Sequence, residues 1–175
     1  PLETPFKRMT WKEAMDRFGS DKPDTRFGLE LQDISDIVKD CGFGVFADCV
    51  RSGGSVRGIT VPGGAKMSRK EIDSLVEFVK TYGSRGLAWY KNSPDGATSS
   101  FAKFMTESEK DAVLEKLQVG EGDLALIVAA KPSVVYASLG ALRCEVARRM
   151  DIIDKTKFNF LWVTEFPLFE YDEEE

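Results

Sequence analysis

The densest set of residues able to do chemistry is "GSDKPDTRFG", residues 19–28. Asp21, Lys22, Asp24 and Arg26 alternate in charge on a segment that Gly19 and Pro23 keep out of regular structure, since proline bars the preceding residue from helical geometry. Such a segment can grip a phosphate or carboxylate through Lys22 and Arg26. It can equally be a solvated connector whose charges satisfy one another. A second set is "VPGGAKMSRKE", residues 61–71, where two glycines precede a helix start and Lys66, Arg69 and Lys70 cluster. It lacks both glycine-rich nucleotide signatures, so a strand-to-helix turn is the favoured reading. Lys66, Arg69 and Lys70, like Arg143, Arg148 and Arg149 further on, either touch an RNA backbone or are solvated helix faces.

Other chemistry is excluded or weakened. The chain has no histidine, which removes the commonest general base, the usual triads and most catalytic metal sites. Cys41, Cys49 and Cys144 lack the close spacing of zinc or redox sites and read as reduced thiols in the core. Five acids within residues 170–175 could attract Mg²⁺, but a bare acidic run has no defined geometry, so no metal site is expected. These acids account for the whole net charge of −5, leaving residues 1–169 neutral, which argues against a dedicated nucleic-acid binder. No apolar run approaches the ~20 residues of a membrane span. A cytoplasmic protein is the default reading.

The elements that must position these residues follow from local signals. Thr10/Glu13, Ser68/Glu71 and Thr106/Glu109 each have capping-box spacing and precede stripes of helical period. A fourth helix is expected in "DISDIVKDCG", and a fifth runs from Pro132 to about Met150 on Val135, Leu139, Leu142 and Val146. Small residues beside that stripe, Ala137, Ser138, Gly140 and Ala141, suit close packing. "GVFADCVR" and "VRGITVPG" flank Ser52–Ser55 and read as a β-hairpin. "GLAWYK" and the wholly apolar "LALIVAA" read as further strands, and "NSPDGATSS" as a polar exposed loop. The order predicts an α+β fold, a two-layer sandwich of a mixed or antiparallel sheet with helices on one face. "FLWVTEFPLFE", residues 160–170, is strand-like although little of the chain follows to cover it.

Taken together, these segments resemble the bacterial aspartyl-tRNA synthetases, a class II family. "MTWKEAMDRFGSDKPDTRFGLEL" is similar to the stretch that follows motif 2 there. "VPGGA" with its following helix, "GLAW" and "GALR" resemble the GAD domain inserted between motifs 2 and 3, and "LWVTEFPLFE" resembles the return strand to the catalytic sheet. The resemblance implies residues 1–42 as a catalytic-core flank, 43–150 as the GAD domain and 151–175 as the return segment. It implies a parent enzyme that uses ATP and Mg²⁺ to activate L-aspartate and transfer it to tRNA, and that dimerises. The principal catalytic motifs would precede Pro1 or follow Glu175, so the piece alone is expected to be inactive, without cofactors and monomeric, with a structural role or one near the tRNA acceptor end. Asp21, Lys22, Arg26 and Glu165 are the expected active-site-edge residues; Glu165 stands where aspartate is frequent in the family. Lys66, Arg69 and Lys70 are the candidate tRNA-facing residues. The alternative is a stand-alone GAD-type binding module related to a tRNA-dependent amidotransferase subunit. Residues 158–170 are expected to be displaced, frayed, or paired with residues 1–35 or a neighbouring copy.

Overall fold

A computed structural model describes residues 2–169. The capping signals mark helices where expected. Thr10 accepts from the Glu13 amide at the start of α1 (Trp11–Phe18), and Gly19, at φ 66°, ends it in the left-handed conformation. The box there is half made, because the Glu13 carboxylate turns to Arg17 at 2.7 Å. Ser68/Glu71 and Thr106/Glu109 complete both reciprocal bonds, opening α4 (Arg69–Lys80) and α5 (Glu107–Lys116). α6 (Pro132–Arg149) carries proline in its first turn and is the longest helix among the described residues.

A five-stranded antiparallel sheet forms the body, in the order β2 (Gln32–Asp33), β3 (Ser55–Val61), β6 (Leu124–Ala130), β4 (Ala88–Ser93), β5 (Gly96–Ser99). β6 is central and apolar on both faces because both are covered. Ile59, Val61, Trp89, Leu124, Leu126 and Val128 pack towards α4 and α6. Their alternates Val56, Tyr90, Ala125 and Ile127 pack with Phe101 and with residues of α2 (Ser35–Val38), α3 (Gly44–Arg51) and α5. The α+β class and the antiparallel sheet therefore stand, while the helices divide between the two faces and make three layers.

Two local expectations are corrected. "GVFADCVR" is α3, not a strand. Phe46 and Ala47 are its buried residues, and Phe46 and Val50, four apart, both join the second core cluster, a spacing that a helix brings together and a strand would split. The glycines that suggested a hairpin end this helix instead, with Gly53 at φ 84°. The polar "NSPDGATSS" is not a loop but the turn and outer strand of the β4–β5 hairpin, with Ser93 opposite Gly96.

β1 (Lys7–Thr10) and β7 (Leu161–Thr164) form a separate parallel ribbon, Lys7 opposite Leu161 and Thr10 opposite Thr164. Parallel neighbours need a long crossover, and here the connection contains the entire five-stranded body. The strand read in residues 160–170 is thus paired with the first residues of the chain, as expected, but only over four positions. Phe158, Phe160, Trp162 and Phe166 remain more than half exposed around it. Glu170 and the acidic run lie outside the described residues.

Candidate functional site

The segment 19–31 is built between α1 and α6. Gly19 and Gly140 touch backbone to backbone: a Cβ on Gly140 would lie 2.4 Å from the Gly19 oxygen, and one on Gly19 would lie 2.5 Å from the Tyr136 oxygen. This is the close packing for which the small residues of α6 are suited. Beyond it the chain turns around Arg143, whose side chain is 1% exposed. Its guanidinium donates to the carbonyls of Asp24 (2.9 Å), Gly28 (2.6 Å), Phe27 (3.2 Å) and Leu29 (3.2 Å). The rings of Phe18 and Phe27 lie 4.8 and 4.3 Å from it. Leu29, at φ 58°, makes the turn back, and the Leu31 amide donates to the Arg17 oxygen at 2.8 Å. Burial pushes the Arg143 pKa down from its ordinary value.

Arg26 is clipped to Asp24 by three side-chain bonds, Nε to Oδ1 at 3.0 Å and to Oδ2 at 3.3 Å and Nη2 to Oδ2 at 2.7 Å, and its amide donates to the same carboxylate at 3.0 Å. Hydrogen bonds from Arg26 hold the Asp24 carboxyl below the usual range. The solvated-connector reading therefore describes this pair, whereas Lys22 is exposed. Lys22 and Arg26 share a cleft of about 280 Å³ with Lys157, Phe158 and Asn159. Asp21 and Glu165 do not line it. Glu165 is exposed just past β7, in a left-handed backbone at φ 58° that side chains other than glycine rarely adopt.

A second polar knot joins α1 to the sheet. The Tyr136 hydroxyl donates to Asp16 Oδ1 at 2.6 Å, and Arg57 lies 3.4 Å from both Asp16 and Asp33, its guanidinium 5.0 Å from the Tyr136 ring. Burial raises the Asp16 pKa, but hydrogen bonds from Lys12 and Tyr136 and the charge of Arg57 outweigh it and hold the group low.

The family model of the GAD domain matches residues 46–139, from α3 into the middle of α6. The chain belongs to the GAD domain family. An aspartate–tRNA ligase of Agathobacter rectalis is 59% identical over 99% of the chain and 29% of its own length. That of Ruminiclostridium cellulolyticum is 58% identical over 99% of the chain and 30% of its own length. An aspartate–tRNA(Asp/Asn) ligase of Lachnoclostridium phytofermentans is 56% identical over 99% and 29%. The chain thus spans less than a third of the length of these relatives.

The three basic residues in and just before the first turn of α4, within the GAD domain, do not form one patch of free charge. Arg69 is bonded to Asp73 at 2.8 Å and stacks over Trp89, while Lys66 and Lys70 are exposed and make no ion pair among the described residues. Gly64 of the preceding turn is no phosphate cradle, because a Cβ there would lie 2.7 Å from Leu124: the glycine serves packing. On α6, Arg143 is buried, and Arg148 and Arg149 both bind Glu145 at 2.7 Å, so the second basic cluster is structural. Cys144 is exposed rather than in the core, and all three cysteines are free. A larger cavity of about 1150 Å³, between α3, the 83–88 turn and the start of α6, contains none of the residues singled out by charge pattern. Among the described residues no three acids or cysteines converge on a metal position, and no helix is long and apolar enough to cross a membrane. Charge pattern singled out Arg143 only as an RNA-facing or solvated residue, which its burial overturns, and it did not single out Tyr136 at all; the one sequence signal of both is a position flanking the apolar stripe of α6.

Proposed function

We propose that the chain is the GAD insertion of a cytoplasmic, dimeric aspartate–tRNA ligase, with the catalytic-core segments on either side, and that it makes no aminoacyl-adenylate by itself. Residues 1–42 and 151–175 belong to that core in this reading, and 43–150 to the insertion. The parent reaction joins the aspartate carboxylate to the α-phosphate of ATP, with loss of pyrophosphate, and passes the aspartyl group to the 3′ end of tRNA. Such chemistry rests on positioning and charge neutralisation rather than on a protein nucleophile. ATP and Mg²⁺ are assigned to parts of the relatives beyond this chain. Lys22 and Arg26 edge the active site, with Asp21 and Glu165 further out, and Lys66 and Lys70 are better placed than Arg69 to face tRNA.

The observation that carries this reading is similarity outside the GAD region. Identity of 59% runs over 99% of the chain, well beyond residues 46–139. A free-standing GAD module has no use for α1, the 19–31 segment and the β1–β7 ribbon, so the alternative of a binding module is disfavoured. Aspartate-dependent ATP–pyrophosphate exchange tests it: the full-length gene product is expected to catalyse exchange and residues 1–175 alone are not. Exchange by the full-length protein with a different amino acid only, or exchange by the 175-residue chain, overturns the proposal.

A further inference from the structure

We infer that Arg143 is a positioning residue for the active-site edge of the ligase, acting from α6 on the 19–31 segment; the inference rests on the function proposed above. α6 begins inside the region matched by the GAD family and ends beyond it, so one rigid helix serves both parts. The segment it holds has no helix and no strand of its own between Gly19 and Leu31. Its shape is set by four carbonyls converging on one buried guanidinium. Three of those carbonyls, on Phe27, Gly28 and Leu29, are consecutive, and the fourth is on Asp24.

Asp24 is the link to chemistry. Its carbonyl is fixed by Arg143 and its carboxylate fixes Arg26, which faces the cleft with Lys22. Movement of the guanidinium is therefore passed through one residue to Arg26, one of the two cations of the cleft that would meet a phosphate or carboxylate. A methionine of similar length would fill the space between Phe18 and Phe27 but leave the four carbonyls without donors, and buried polar groups without partners are costly. An apolar side chain here keeps the packing against the two rings without defining the loop. The full fork of a guanidinium is required for the loop geometry, and a point charge replaces it only in part.

The test uses the full-length protein, with Arg143→Met, Arg143→Lys and, as a control, Val79→Ala, a buried α4 residue in the same core layer as α6. Aspartate-dependent ATP–pyrophosphate exchange is measured over a range of both substrates. Arg143→Met is expected to raise KM for aspartate or ATP about tenfold with kcat within about threefold, and Arg143→Lys to fall between it and wild type. Val79→Ala should lower the unfolding midpoint and leave both KM values alone. A merely structural Arg143 gives the opposite split, fewer active molecules and so a lower kcat at unchanged KM, and that result overturns the inference. Should Arg143→Met not fold, Arg143→Lys decides: unchanged KM values in that variant overturn it equally. Absence of exchange in wild type is a separate outcome, which removes the proposed function and this inference with it.

Discussion

The Tyr136 hydroxyl ties α6 to α1, and its chemistry makes the tie measurable. Burial, helped by its hydrogen bond to Asp16 and opposed by the charge of Arg57, pushes its pKa up to about 12. The ordinary tyrosine value is about 10, so the folded protein holds this proton more tightly than the unfolded chain does. The resulting stabilisation is complete below about pH 10 and is lost as pH rises through about 12. Tyr136→Phe removes it at every pH. The variant should be less stable than wild type by about 0.5–1.5 kcal/mol at pH 7, with the gap narrowing above about pH 10. Urea unfolding at both ends of that range checks it, and a gap that widens at high pH would show that the phenolate is favoured in the fold.

At the scale of elements, what could be read from sequence is what is decided within a few residues. Ser68/Glu71 and Thr106/Glu109 start helices through bonds spanning three positions, and the stripe of α6 announces its buried face. α3 was misread because eight residues with apolar side chains at 45, 46, 47, 49 and 50 fit either period, and only contact with Phe43 and Phe101 selects the helix. Arg143 was unreadable for the same reason in stronger form: its partners lie 114 to 119 residues away, and nothing local distinguishes it from the exposed Arg148. β7 announced itself as a strand by composition, but not how little would cover it. Two-stranded ribbons are marginal without a packed face. Trp162 is 58% exposed, whereas Leu124–Val128 of β6 are at most 1% exposed. Amides of 162–164 should therefore open with a free energy lower by at least about 2 kcal/mol, roughly thirtyfold, than those of 125–128 in native-state hydrogen exchange. Equal protection would mean that the ribbon unfolds only with the main sheet.

Across the whole molecule, the boundaries of the GAD match and of the hydrophobic core do not coincide. Residues 46–139 contain the strands β3 to β6 but omit Ile34 and Val38, fully buried under one face, and Leu142 and Val146, fully buried under the other. They also omit Phe27, Leu29 and Leu31, which close the first cluster. Burying one such aliphatic side chain contributes about 1.5–3 kcal/mol, so the four fully buried ones alone are worth most of the net 5–15 kcal/mol of a typical domain. The sheet would survive as a pattern of strands while losing the packing that makes its unfolding cooperative. Residues 46–139 expressed alone should show no sharp urea transition and should bind a hydrophobic dye, whereas residues 1–175 should unfold in a single transition of the main sheet. A cooperative transition in the shorter piece would show that the sheet and α4 suffice for a core. The flanking segments would then be attached to the GAD domain rather than built into it, and the route from α6 through Arg143 to the 19–31 segment would join two separately stable bodies.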